Sequence, residues 1–381
     1  MKNLKKKEDK KGDKKLKKIF TLTVTLLILL VCLTGCGGEK LTLNVYNWGE
    51  YISDGSEGSF DTVREFEDWY EETYGEKVRV NYTTFASNED MYSKISSGAV
   101  SYDVIIPSDY MIARMKNEDM LLELNFDNIP NYQYIKDDFK GLYYDEENKY
   151  TVPYAYGTIG VIYNANEVDE ADVGNWDLLW NEKYKDKILQ FNNSRDAFGM
   201  AMYKKGLDVN SEDKAVWDEA YSELLAQRPL VYSLVMDEIY NMMESGEAAI
   251  GAYYAGDYFT MRDAQAEDVD LKFYYPDNTN FYIDAMCIPK CSENKELAEI
   301  FINYMLSKEP AIANAEYTYY ASPNSLVYED AEYIEEMGDS MDVLYHFNDN
   351  FKELYNKNAY RNLNPETLDY INTLWETLKI N

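Results

Sequence analysis

The chain reads as an α/β protein of two lobes, each a mainly parallel sheet flanked by helices, with two long strands crossing between the lobes. Three observations predict this. Strand-like and helix-like segments alternate from residue 41 onward, the alternation breaks near residue 150 and then resumes, and two long strand-like stretches interrupted by Pro or Gly sit where the halves would join. The 381 residues suffice for two domains with buried cores.

The first 35 residues stand apart from this pattern. A basic run, Lys2 to Lys18, precedes the apolar "IFTLTVTLLILLVCL" (Ile19 to Leu33), which has signal-peptide length and is short for a permanent span. "LTGC" then resembles the lipobox of bacterial lipoproteins, which implies cleavage before Cys36, acylation of its thiol, and an extracytoplasmic chain anchored to the outer face of the cell membrane. An uncleaved anchor is the other reading.

"LTLNVYNW" (Leu41 to Trp48) alternates with period two. "FDTVREFEDWYEETYG" then places Val63, Phe66, Tyr70 and Tyr74 on one helical face and stops at Gly75. "VRVNYTTF" (Val78 to Phe85) alternates again, "SNED" (Ser87 to Asp90) reads as an N-cap opening a short helix, and "YDVIIPS" (Tyr102 to Ser108) as a buried strand. After residue 150, "KILQF" and "AAIGAYY" read as strands, and "AVWDEAYSELLAQ" and "LAEIFINYML" as helices. "YTVPYAYGTIGVIYN" (Tyr150 to Asn164) and "FYIDAMCIP" (Phe281 to Pro289) suit either hinge-crossing strands or ordinary central ones. The expected division is lobe 1 from 36–155 and 285–320, and lobe 2 from 156–284 and 321–381.

Composition excludes several functions. Residues 1–35 hold ten Lys and three acids, so the remainder carries 27 basic and 66 acidic residues, a net charge of −39. Nucleic acid is excluded as a partner, since phosphate binding needs basic patches. Solubility at a cell surface explains the global charge by itself; steering of a cationic ligand is a second reading. With one histidine, His346, neither a Ser-His-Asp triad nor a His-rich zinc site is readily assembled, and no cofactor motif is present. Cys287 and Cys291 are either two thiols or a strained disulfide.

Ligands of open α/β sheets bind beyond the carboxyl ends of the strands. Those positions here hold Trp48, Glu50 and Tyr51; Ser108, Asp109 and Tyr110; Asn193 and Asp196 of "NNSRD"; Tyr254 and Asp257; and, on the second crossing strand, Tyr282 and Asp284. A ligand of methylenes and ammonium groups needs both residue types. Aromatic walls give cation–π contacts of about 0.5–2 kcal/mol, and carboxylates give charge-assisted hydrogen bonds of about 1.5–3 kcal/mol.

"NVYNWGEYI", "TTFASNEDMYSKI", "YDVIIPSDYMIARM", "VPYAYGTIGVIYN", "WDLLW", "SRDAFGMA", "YYAGDYF", "FYIDAMCIPK" and "ASPNS", in this order over Leu41 to Lys379, resemble the bacterial extracellular spermidine/putrescine-binding proteins of ABC importers. The resemblance implies a two-lobed, periplasmic-binding-protein-like (type II) fold closing on a polyamine and delivering it to membrane permease subunits. It implies a monomer without cofactor or catalytic residues. By position it places Trp48, Glu50, Tyr51, Ser108, Tyr110, Asp196, Tyr254, Asp257, Tyr282, Asp284 and Tyr320 on the ligand. Asn193 stands where the family offers an acid, and Tyr254 and Tyr282 where it often has Trp; Arg361 lies near a C-terminal contact that does not align. Putrescine versus spermidine stays open. The alternatives are a ferric-iron receptor using Tyr253-Tyr254 or Tyr319-Tyr320, and a hydrolase using Asp257 and Asp284.

Overall fold

The computed structural model describes residues 41–380, so the leader and Cys36 lie outside the described residues. The first half holds β1 (Leu41–Trp48), α1 (Thr62–Tyr74), β2 (Val78–Phe85), α2 (Asn88–Ser96), β3 (Val104–Ile105) and α3 (Asp109–Asn117). β4 (Thr151–Asn164) leads to the second: β5 (Ile188–Phe191), α4 (Ser194–Lys205), α5 (Lys214–Gln227), β6 (Val231–Val235), α6 (Glu238–Glu244), β7 (Ile250–Tyr254), α7 (Ala255–Ala264) and β8 (Leu271–Tyr274). β9 (Phe281–Cys287) returns to the first half, followed by α8 (Lys295–Met305) and α9 (Lys308–Thr318). Five more helices follow: α10 (Ser325–Tyr328), α11 (Ala331–Met337), α12 (Ser340–Leu344), α13 (Phe351–Asn358) and α14 (Pro365–Ile380).

The sheet order is β2-β1-β3-β9-β4-β7-β5-β6, with β8 on the end of β4. β1 pairs in parallel with β2 and β3, and β5 in parallel with β6 and β7, so each half has its own parallel core. β4 joins them: residues 151–158 pair with β9, and residues 159–163 with β7. This is a two-lobed α/β fold with two crossing strands.

Local chemistry explains the elements. Asp61 caps α1, which ends at Gly75 in the left-handed region (φ 73°). Phe66 and Tyr70 of the predicted face are buried, but Tyr74, in the last turn, is exposed. Ser87 caps α2 as its spacing predicts, accepting from Asp90 N at 3.1 Å. The "YDVIIPS" strand is cut to the two residues of β3; just before it the Asp103 carboxylate accepts from Asn44 N of β1 and from Ser292 Oγ.

The glycines of β4 have a packing reason. A methyl group on Gly157 would lie 2.5 Å from Tyr282 Oη, and one on Gly160 would overlap the Phe273 ring. They admit neighbouring rings, and neither has positive φ. Cys287 and Cys291 are free thiols. His346 is exposed and packs against the Tyr275 and Phe347 rings. Among the described residues no helix is long and apolar enough to cross a membrane.

Candidate ligand-binding cleft

One cleft, enclosing about 840 Å³ with its open mouth, lies where the carboxyl ends of the strands face each other. All twelve residues proposed from the sequence line it: Trp48, Glu50, Tyr51, Ser108, Tyr110, Asn193, Asp196, Tyr254, Asp257, Tyr282, Asp284 and Tyr320. β1 and β2 pair in register to their last residues, Trp48 opposite Phe85, so the indole leans on the Phe85 ring at 4.6 Å. At the end of β1, Asn47 Oδ1 accepts from Trp48 N, and its Nδ2 donates to Tyr82 Oη at 2.9 Å. Glu50, not Gly49, takes the left-handed conformation (φ 49°). Gly49 serves proximity instead: a methyl group there would lie 3.1 Å from Asp237 Oδ2 on the opposite side of the mouth.

The acids are held by tyrosines. Tyr51 Oη donates to Asp284 Oδ2 at 2.7 Å, and Tyr254 Oη to Asp196 Oδ2 at 2.8 Å. Tyr240 and Tyr320 donate to the two oxygens of Asp257 at 2.7 and 2.8 Å. The rings also wall the cleft, Tyr51 edge-on to Tyr320 at 4.6 Å and Tyr254 to Tyr282 at 5.4 Å. Asn193 is the N-cap of α4: its Oδ1 accepts from Asp196 N and its Nδ2 donates to Asp196 Oδ2, both at 2.8 Å. Its amide is therefore committed to orienting Asp196.

Burial sets the charge state. It pushes the Asp257 carboxyl up to about 7 against its tyrosine hydrogen bonds, and Asp284 up to about 6. Asp109, which accepts from the backbone N–H of Tyr110 and Ile283, is pushed up to about 7 by burial. Four of the lining acids, Glu89, Asp109, Asp196 and Asp257, stand in the first turn of a helix, where the free N–H groups and the helix dipole favour the ionised form. Asp284 Oδ1 is buried with no hydrogen bond of good geometry, while the nearby Ser108 hydroxyl favours the ionised carboxyl.

A model of the family described as bacterial extracellular solute-binding protein matches residues 63–338. The chain belongs to this family. The spermidine/putrescine-binding periplasmic protein 1 of Haemophilus influenzae is 33% identical over 273 residues, 71% of this chain and 72% of that protein. That of Escherichia coli is 31% identical over 289 residues, 75% of this chain and 78% of its own. A solved structure described as a putative spermidine/putrescine ABC transporter from Listeria monocytogenes superposes with a TM-score of 0.76 at 33% identity, covering 89% of this chain and 99% of its own. The family is extracellular and binds solutes.

The cleft of this solute-binding protein holds residues that the sequence does not single out. Glu89, accepting from Tyr110 Oη at 3.0 Å, looks in the sequence like part of a helix cap and nothing more. Asp237 and Tyr240 follow β6, whose "VYSLV" carries no clear strand pattern to draw notice to its end. Tyr360 lines the cleft in place of the neighbouring Arg361, whose guanidinium stacks on Tyr143 at 3.6 Å. Among the described residues Arg195 is the one lining cation against seven lining carboxylates, and its guanidinium lies 4.5 Å from the Tyr360 ring centre. Tyr253, Tyr254 and Tyr320 are poor phenolate donors, because burial pushes each phenol far above its ordinary range, and Tyr254 and Tyr320 already donate to carboxylates. Among the described residues no group of three His, Cys, Asp or Glu is arranged to hold a metal ion.

Proposed function

We propose that this chain is the extracytoplasmic receptor of an ABC importer for polyamines, putrescine and/or spermidine, closing its lobes on the ligand and presenting it to membrane permease subunits. The observation that carries the reading is a cleft lined by seven carboxylates and one guanidinium, in which the buried Oδ1 of Asp284 makes no hydrogen bond of good geometry. Such an acceptor costs about 1–3 kcal/mol when unsatisfied. An ammonium N–H satisfies it, and further ammonium groups relieve the repulsion among the other acids. The tyrosine and tryptophan faces supply apolar contact for methylenes between charges. The named functions of the relatives agree with this chemistry.

In this reading the twelve residues named from the sequence contact the ligand or shape its cleft. Closure joins lobe 1 (36–155 with 285–320) to lobe 2 (156–284 with 321–381). Hydrogen bonds from Ser53 N and Thr62 Oγ1 to Asn314 Oδ1 support grouping α9 with the first lobe. The protein acts as a monomer, held to the membrane by lipid on Cys36; loss of radiolabelled-palmitate incorporation in Cys36→Ala checks the anchor.

Calorimetric titration of the soluble chain from Gly37 onward with putrescine, spermidine, spermine, Fe3+ and a neutral oligosaccharide tests the function. Saturable binding of a polyamine is expected. Its absence at low salt refutes the proposal.

A further inference from the structure

The mouth of the cleft carries a carboxylate on each side. Glu50 stands on the turn after β1, and Asp237 stands between β6 and α6, at the far edge of the other half of the sheet. They approach at Gly49, where a methyl group would lie 3.1 Å from Asp237 Oδ2. Both carboxylates are solvent-exposed, and among the described residues neither makes an ion pair with a Lys or Arg; partial desolvation and then Asp237 and Asp54 raise Glu50, and partial desolvation raises Asp237 against its Tyr253 hydrogen bond, with Glu238 adding to it. The Tyr253 hydrogen bond to Asp237 is long, at 3.4 Å. Asp257, fully buried, is raised by burial against its Tyr240 and Tyr320 hydrogen bonds, with Asp237 and Glu50 adding to the rise.

Like charges from two sides of a closing cleft oppose closure. An ammonium placed between them reverses the sign, because it donates charge-assisted hydrogen bonds to both sides at once. In the same cleft Asp284, only 4% exposed, presents an Oδ1 with no hydrogen bond of good geometry, a second acceptor suited to an ammonium.

We propose that Asp237 is a specificity-determining residue: with Glu50 it clamps a terminal ammonium of the ligand across the mouth, so that full closure selects ligands with a cationic end there. This rests on the polyamine reading above and adds to it a residue from the opposite side of the cleft. Mono-amines and end-blocked polyamines would enter but leave the two carboxylates facing each other.

The test pairs the protein charge with the ligand charge. Spermidine and its two mono-acetylated isomers, blocked at one end or the other, are titrated calorimetrically into the wild type and Asp237→Asn. In the wild type, blocking the end that reaches the mouth is expected to weaken binding about 100-fold, the scale of a lost charge-assisted contact. In Asp237→Asn the same block is expected to weaken binding about 10-fold or less, while steric effects of the acetyl group cancel between the two proteins. An equal penalty in both proteins, or no penalty for either isomer in the wild type, overturns the inference. Asp237→Ser, read the same way, guards against a folding defect peculiar to the amide. Wild-type protein that binds no polyamine at all refutes the function instead, so the two failures are distinct.

Discussion

Replacing Asp284 by Asn is expected to make the empty protein more stable and the filled one weaker. The carboxyl lies at about 6 in the folded protein against an ordinary 3.8, with burial as the first cause. That difference is worth about 3 kcal/mol between the two protonation states. Because the folded value is the higher one, the folded state holds a proton that the unfolded state has released between about pH 4 and 6. Stability from this group is therefore lost as pH rises through that window, and the loss is complete above about pH 7. The amide has no such titration, and its carbonyl still accepts from Tyr51 Oη in the place of Oδ2. About 1 kcal/mol of the loss has already occurred by about pH 4.5, which leaves about 2 kcal/mol between there and about pH 8. At about 2 °C per kcal/mol, the melting temperature of Asp284→Asn relative to wild type is expected to climb by about 4 °C over that interval. Binding loses one charge-assisted hydrogen bond, so spermidine or putrescine is expected to bind about 10- to 100-fold more weakly. Scanning calorimetry of the empty protein across pH and titration calorimetry near neutral pH measure both. A melting difference that does not change with pH, or an unchanged dissociation constant, refutes the reasoning.

The same protonation makes binding pH-dependent: a bound ammonium favours ionised Asp257 and Asp284, so protons are released on binding near about pH 6–7 and affinity rises with pH from about 5.5 to 7.5. Titrations in two buffers of different ionisation enthalpy read that release directly. Tyr320→Phe removes one of the two hydroxyls that favour ionised Asp257, so the midpoint of this pH dependence is expected to move up, and a midpoint that stays put argues against Asp257 as the titrating group. Gly157→Ala drives a methyl group to 2.5 Å from Tyr282 Oη, which should tilt the Tyr282 wall, cost about 1–3 kcal/mol in denaturant unfolding and weaken polyamine binding measured by calorimetry. Asn193→Ala removes the α4 cap and the amide that orients Asp196; denaturant unfolding should show about 1 kcal/mol of lost stability, and calorimetry a lower affinity.

Most of the first half is legible because its signals are local. Ser87 followed by Asp90 is a cap by spacing alone, and β1 and β2 open with apolar–polar alternation in the sequence, so the rule that ligands sit beyond strand ends leads to Trp48, Glu50 and Tyr51. The rule fails where a strand cannot be read. β6 is short, with an exposed Tyr232 and a half-buried Ser233, and Asp237 is lost with it. Glu89 is visible but has a complete local explanation as part of a helix start, which hides its place in the cleft.

The sequence by itself determined the alternation of elements, the acidic charge, the want of catalytic histidine and the residue types at strand ends, since each follows from composition or from neighbours a few positions apart. Only the tertiary structure decided which groups meet and in what charge state. Tyr51 and Asp284 are 233 positions apart, and Tyr320 and Asp257 63 apart, so neither hydrogen bond has a local signal. The raised carboxyls, the buried Oδ1 of Asp284 and the approach of Asp237 to Gly49 all arise from desolvation and proximity when two distant halves of the chain face each other.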